Sequence, residues 1–503
     1  MMTEIHWAQQ SGFPLLGALQ AIPLLGAGAL LLLGERRGAV ILGRFLVLAE
    51  LLLAATLYRR IDIGSPALQL AERVDLFGPF GYHAAADGVT VLFVLLTALL
   101  AFLLSIYGLV RGLGEPSRLI GILLAIEGVL ISLLTTTNLL WFVLASAIEI
   151  GLVGHLLWRW ATSAEKDLAL ARFYQFQGTG LLLLLAGVLV AGWSHADAAG
   201  GRWSFDLVDL AAIHIAAPLS SVVFFLLFYG LAIRTPLFPM HGWLPLMAEH
   251  GNVAIAPVLL LGIKVGIYGL VRFVFPLVPE AVVQWQNYVV AFAATGVFYA
   301  AFLAFLQKDL RRLIAFAVVS HTSLITIGLF SLHHAGFQGG ILLAVNFGLA
   351  ATALLFMVGF VYRRTHTTSL DRLGGLFDRI PFLSMTFLVG GFSIIGMPGT
   401  PGFDAAHLVL EAAIDKFGAL PTVAAALGNV VTAGFLLWAF QRAFLAPRPE
   451  WRPPGTIEAT LPMEYLVAGG ILAVLLVTGF YLEPWMKLVE ASLQALSAHF
   501  GHH

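Results

Sequence analysis

Apolar runs long enough to cross a bilayer follow one another from near the N-terminus almost to the C-terminus of this chain, separated only by short stretches of charge, proline or polar turn. Few folds tolerate that pattern. In hydrocarbon every backbone N–H and C=O must be paired within the protein, which leaves helices and closed barrels as spanning structures. A barrel would show alternating segments of about ten residues, whereas these runs are continuous and roughly twice as long. Only 11% of the 503 residues are charged and 59% are hydrophobic, with a mean hydropathy of +0.92. A soluble globular protein carries about 25% charged residues, so that class is excluded, as is a soluble domain on one anchor. The expected fold is an all-α, polytopic membrane protein.

Fourteen transmembrane helices are expected, at 12–34, 38–57, 88–110, 119–136, 138–160, 174–193, 218–240, 252–274, 287–306, 311–332, 338–362, 381–414, 419–446 and 464–482. The first run is long enough to span rather than serve as a signal peptide. Only the connections 58–87 and 194–217 exceed turns, and neither is long enough for a soluble domain. With the N-terminus outside, 18 of the 27 Lys and Arg residues fall on the cytoplasmic side and 7 on the other, while Arg234 and Lys264 lie within spans. That bias follows the positive-inside rule and predicts both termini on the outer side of a bacterial cytoplasmic (inner) membrane. The formal net charge of −1 gives no field for nucleic acid. With no cysteine the chain holds no disulfide, thiolate zinc site or iron–sulfur cluster.

Two spans are interrupted. Span seven reads LAIRTPLFPMHGWLP, with Pro236, Pro239 and Pro245, and span twelve reads IIGMPGTPGFDAAHLVLEAA, with Pro398, Gly399, Pro401 and Gly402. Proline removes a backbone donor, a loss that hydrocarbon tolerates only where protein or trapped water repairs it. The breaks lie five spans apart, so spans four to eight and nine to thirteen are expected to form two inverted five-helix repeats, each with one broken helix, the arrangement that marks ion pathways in many transporters. The chain then divides into helices one to three (1–110), a first repeat (111–275), a second repeat (276–447), and a last helix with an amphipathic tail (448–503) lying on the outer membrane surface.

A charge at mid-bilayer costs at least about 2.5 kcal/mol, so each ionisable residue there needs a reason. Glu50, Glu127, Glu149, Arg234, Lys264, His321, His407 and Glu411 all fall within spans, and Glu127, Glu149, Lys264 and His321 near span centres. Carboxylate, amine and imidazole at one depth can pass protons through intervening water. A static ion pair is the plain alternative for any one of them. Glu50 is expected to pack against a neighbour or snorkel, and His155 and His241, near helix ends beside Trp and Pro, to be structural. No phosphate loop, HExxH pair or serine nucleophile elbow is present, and the scattered histidines lack the pairing of a haem core.

The runs AIRTPLFPMHGWLP with LLLGIKVGIYGLVRF, and LQKDLRRLIAFAVVSHTSLITIG, resemble the two signature segments of the antiporter-like proton-conducting membrane subunits of respiratory complex I. EGVLISLLTTTNLLWF and ALARFYQFQGTGLLLLLAGV look most like the M-type subunit. The same family serves energy-converting hydrogenases, multisubunit sodium/proton antiporters and bicarbonate-accumulating complexes. The resemblance covers roughly residues 88 to 480 and implies fourteen helices with two inverted repeats. It equates Lys264 with the family's span-eight lysine, His321 with its span-ten histidine, and Asp309 and Arg311 with its coupling turn. Arg234 stands where the family has a proton-accepting lysine, and arginine keeps its proton at any accessible pH.

Other positions depart from the pattern. Counted from Asn138, the family's span-five glutamate falls on Ala147, whereas Glu149 lies two residues on. That offset is about 200° around a helix, so a bulge or an acid facing elsewhere is expected. Span eleven has Asn346 and alanines in place of histidine and lysine, span twelve has Ala406 with His407 beside it and Glu411 beyond, and the WLP loop continues LMAEHGN.

The resemblance implies a proton-translocating subunit of a complex I-related assembly, with other membrane and cytoplasmic subunits as partners. It would belong to a membrane oxidoreductase, with quinone and redox centres in those other subunits and no cofactor or metal in this chain. Water-linked Glu127, Glu149, Lys264, His321 and His407 would form the pathway, with Arg234 tuning the field and His407 with Glu411 as the outlet group. The alternatives are a proton-conducting subunit of an inorganic-carbon accumulating complex driving a zinc-dependent cytoplasmic partner, and a structural subunit with static ion pairs.

Overall fold

The computed structural model describes residues 3–252, 259–447 and 457–501. The expected start of span eight at 252–258, apart from Asn252, and Arg448 and Arg452 of the charge count lie outside the described residues. Among the described residues, eleven single helices are long and apolar enough to cross a membrane. They coincide with the expected spans, though span six runs as Lys166–Ala198 and span eleven as His334–Thr365, both longer than expected. The remaining three segments are the two broken spans and span eight. Span seven is Leu219–Arg234 followed, after a turn, by Trp243–His250. Span twelve is Pro381–Ile395 followed by Pro401–Phe417. Span eight is Leu259–Gly269 continued by a π-helical turn, Leu270–Val274, and Phe275–Leu277.

The boundaries follow local chemistry. Asp87, Asn138 and Asp309 each turn a side-chain oxygen onto a backbone N–H at the start of spans three, five and ten, meeting donors that have no partner within the helix. Proline opens spans four, nine and fourteen and the second half of span twelve, where its missing N–H costs nothing. Gly396, at φ +77°, ends the first half of span twelve, a conformation that glycine adopts without strain.

Spans ten and eleven form the axis. Every residue of Leu310–Phe330 except Arg311 and Arg312 is buried, and so is nearly all of His334–Thr365. Spans two and fourteen lie at the periphery with apolar side chains facing outward. At one end of span eleven Arg364 donates to both carboxylate oxygens of Glu464 on span fourteen, at 3.0 and 2.5 Å, with both side chains fully buried.

The connection 58–87, read from sequence only as a connection, is a small sheet. Strand β1 (Glu4–His6) pairs parallel with β2 (Leu68–Phe77), and β2 pairs antiparallel with β3 (Phe80–Ala86), with Arg73 opposite His83. The sheet anchors span one, since Glu72 accepts the N–H groups of Leu16 (2.7 Å) and Gly17 (2.8 Å). The amphipathic helix Glu483–Ala498 buries Leu488, Val489 and Leu493. It crosses the start of span three, where an added Cβ on Gly88 would collide with the Leu488 carbonyl, and Gln338 of span eleven donates to its Met486 carbonyl at 3.3 Å.

Candidate functional site

The break in span seven leaves Arg234 as the last residue of Leu219–Arg234, deep in the protein. Its neighbours repair the interrupted ladder: Thr235 Oγ1 donates to the Leu231 carbonyl at 2.6 Å and Trp243 Nε1 to that of Ile233 at 3.0 Å. Arg234 Nη2 donates to Glu149 Oε2 at 2.8 Å, and the two side chains are 3% and 5% exposed. Span five is unbroken α-helix from Leu139 to Arg159. The two-residue offset therefore needs no bulge: Ala147 faces outward and Glu149 faces in, onto the arginine. Arg234 Nε and Nη1 are buried without a partner among the described residues. Donors of this kind are satisfied by water when the site is polar.

The other half of the site is organised by three consecutive residues of span eleven, Asn346, Phe347 and Gly348. Gly348 receives the Lys264 side chain of span eight; an added Cβ would lie 2.6 Å from Nζ. Phe347 stacks on the His321 ring of span ten, with centroids 4.9 Å apart, and His321 Nε2 is buried without a partner among the described residues. Asn346 reaches the broken span twelve: its Nδ2 donates to the Ser393 carbonyl at 3.0 Å, and Ser393 Oγ donates to its Oδ1 at 2.6 Å. Gly402, just past the break, packs directly against both partners. Successive helical residues point about 100° apart, so this tripeptide faces spans eight, ten and twelve at once. Sequence reading registered Asn346 only as a departure and missed its neighbours.

Glu127 of span four and Glu50 of span two are both fully buried, near enough for their charges to interact, and none of their four carboxyl oxygens has a partner among the described residues. Glu50 is thus packed rather than snorkelling. His407 and Glu411, expected as an outlet group, stand on the exposed face of Pro401–Phe417, and the fold does not bring them together with the buried set. His155 is exposed and His241 is enclosed by Phe238, Tyr299 and Phe316, in line with structural roles.

Asp309 accepts the Arg311 and Arg312 N–H groups and a hydroxyl bond from Thr368. Arg312 Nη1 donates to Glu249 Oε2 at 2.8 Å and Arg311 Nη1 to the Gly251 carbonyl at 3.3 Å. The turn before span ten is thereby tied to the helix that follows the break of span seven. At the opposite end, His83 of β3 lies between two carboxylates, Nδ1 2.5 Å from Asp206 Oδ2 and Nε2 3.2 Å from Glu4 Oε1. Burial works against its protonated form, but the Asp206 and Glu4 carboxylates outweigh it and push the imidazole up to about 9. Sequence reading passed over His83, because its partner is 123 residues away and no local pattern links them.

The fold, with two broken helices and a buried arginine, lysine and histidine, has counterparts among known proteins. The family model described as NADH:quinone oxidoreductase/Mrp antiporter, TM matches residues 116–432, well over half of the chain. The chain belongs to that family. NADH-quinone oxidoreductase subunit M of Mycobacterium tuberculosis is 29% identical to this family member over 97% of the chain and 95% of its own length. NAD(P)H-quinone oxidoreductase chain 4 2 of Thermosynechococcus vestitus is 27% identical over 97% and 92%. Among solved structures, a chain of respiratory complex I from Thermus thermophilus superposes with a TM-score of 0.83 at 29% identity, covering 96% of this chain and 99% of its own. A chain of the Mrp complex from Dietzia shares the fold, with a TM-score of 0.86 at 19% identity over 96% and 97%. The resemblance expected from the two signature runs holds, and this family member is an antiporter-like membrane subunit of the complex I-related kind.

Proposed function

We propose that this chain carries protons through the membrane as one subunit of a complex I-related assembly, using Glu127, Glu149, Lys264 and His321 with hydrating water, while Arg234 sets the field. The observation that carries the reading is the convergence of Lys264, His321 and the break of span twelve on residues 346–348. Titratable groups in hydrocarbon are costly, and a broken helix beside them supplies backbone dipoles that water and protons can use. Arg234 holds the acceptor Glu149 in place and keeps its own proton. Protons therefore pass by it rather than through it.

Spans four to eight and nine to thirteen act as two inverted units around the breaks. Asp309 and Arg311 couple the second unit to the first through the helix Trp243–His250. The Lys and Arg bias supports an orientation with both termini on the outer side of a bacterial inner membrane. Other membrane and cytoplasmic subunits, which hold the quinone and redox centres, supply the driving chemistry, and His407 and Glu411 face one of them across the exposed side of span twelve. The names of the relatives favour this reading over inorganic-carbon accumulation.

The deciding experiment is Lys264→Met in the assembled complex, with proton flux followed in proteoliposomes. Flux is expected to fall at least about tenfold with assembly unchanged. Undiminished flux in a fully assembled variant would favour a scaffold with static pairs.

A further inference from the structure

The buried lysine has a second polar neighbourhood on its own helix. Lys264, Tyr268 and Arg272 of span eight are spaced four residues apart, which puts them on one face at about one turn each. The π-helical turn Leu270–Val274 begins two residues beyond Tyr268, and such turns concentrate at functional sites. Tyr268 and Thr90 are almost wholly enclosed. The Tyr268 hydroxyl lies 3.0 Å from Thr90 Oγ1 and 2.5 Å from the Leu134 carbonyl. Thr90 Oγ1 donates to Asp87 Oδ1 at 3.0 Å. Arg272 aims donors at all three oxygens: Nε at the Tyr268 hydroxyl (2.9 Å), and Nη2 at Thr90 Oγ1 (2.6 Å) and Asp87 Oδ1 (2.8 Å). Asp87, Tyr268 and Arg272 line a cavity of about 210 Å³ roofed by Ser492 and His499 of the C-terminal segment.

We propose that Tyr268, Thr90 and Asp87 form a switchable proton outlet from Lys264 into this cavity, held in register by Arg272. The proposal rests on the reading of the chain as a proton carrier and assigns it a route off the central axis. The Tyr268 hydroxyl has one hydrogen and two acceptors within reach. Directed at the Leu134 carbonyl, that hydrogen leaves the file open; rotated to Thr90, it completes an unbroken sequence of O–H donors ending on a carboxylate. A proton arriving through water from Lys264 forms a new O–H bond at Tyr268 as the existing one breaks toward Thr90 Oγ1. The Thr90 proton passes to Asp87, and the neutral carboxyl releases it to cavity water. Both hydroxyls then rotate back, and one proton has moved with no electron transferred. Arg272 carries no proton in this sequence; it positions the three oxygens.

The test uses the complex purified through a tag on this chain, reconstituted in liposomes with an internal pH dye and driven by a potassium diffusion potential. Tyr268→Phe, which keeps the ring and removes the hydroxyl, is expected to cut flux about tenfold with normal assembly. Thr90→Val should do the same and Thr90→Ser should retain flux, a contrast that a purely packing role would not give. Lys264→Met, in the same liposomes, reports on the carrier reading itself. Lost flux in Lys264→Met with wild-type flux in Tyr268→Phe and Thr90→Val overturns the outlet alone. Wild-type flux in Lys264→Met, or no flux in the wild-type complex, overturns both.

Discussion

Arg234 and Glu149 show how the cost of a buried charge is met one residue at a time. Neither is solvated by bulk water, and each is the other's counter-ion at 2.8 Å. Removing one partner from such a pair leaves the other uncompensated, which typically costs about 3–5 kcal/mol. Glu149→Ala is therefore expected to lower the melting temperature of the assembled complex sharply. The double variant Glu149→Ala with Arg234→Met should recover part of that loss, and a cycle of differential scanning fluorimetry measurements over wild type, the two single variants and the double checks it. A double variant no more stable than Glu149→Ala would show that the pair is not coupled. Gly348 makes the complementary point, since its missing side chain is the space that Lys264 occupies. Gly348→Ala is expected to displace the lysine and reduce proton flux about tenfold while leaving assembly intact; flux equal to wild type would mean that Nζ works from another position.

At the scale of elements, the fold is held at its ends by polar clamps between segments distant in sequence. Glu72 on β2 caps span one, the Asp309 turn ties span ten to the break of span seven, and His83 joins β3 to Asp206 and Glu4. The last of these titrates. His83 is pushed up to about 9 in the folded chain from the ordinary 6.5, so its contribution is complete below pH about 6.5 and is lost as pH rises through about 9. The hairpin end should thus become less resistant to proteolysis and heat between pH 7 and pH about 9.5. Asp206→Asn should flatten that dependence and cost about 1–3 kcal/mol at neutral pH. A wild-type stability independent of pH over this range would remove the ion cluster from the account. The pattern of long apolar runs predicted the eleven single helices long enough to cross a membrane among the described residues. The sheet went unseen: β1 is three residues long and pairs far along the chain with β2, and the β2–β3 hairpin lies in a stretch without the apolar length that marks a span.

For the whole molecule, the decisive distinction is between ionisable side chains buried inside the protein and side chains turned outward. Lys264, His321, Glu127 and Glu149 face in, whereas His407 and Glu411 face out. Replacing His407 with Ala is accordingly expected to leave flux through the reconstituted complex within about twofold of wild type, and to weaken retention of a neighbouring subunit on detergent washing. A tenfold loss of flux with retention unchanged would return His407 to the pathway. Hydropathy, the positive charge bias and the two proline–glycine breaks were legible in the sequence because each is a local demand of hydrocarbon on the chain: length, few charges, and repair of lost hydrogen bonds. Which way each ionisable side chain points was not. Facing is set by the rotation and packing of one helix against others tens of residues away, and only the tertiary structure turned Glu149 onto Arg234, gathered Lys264 and His321 around residues 346–348, and left His407 outside.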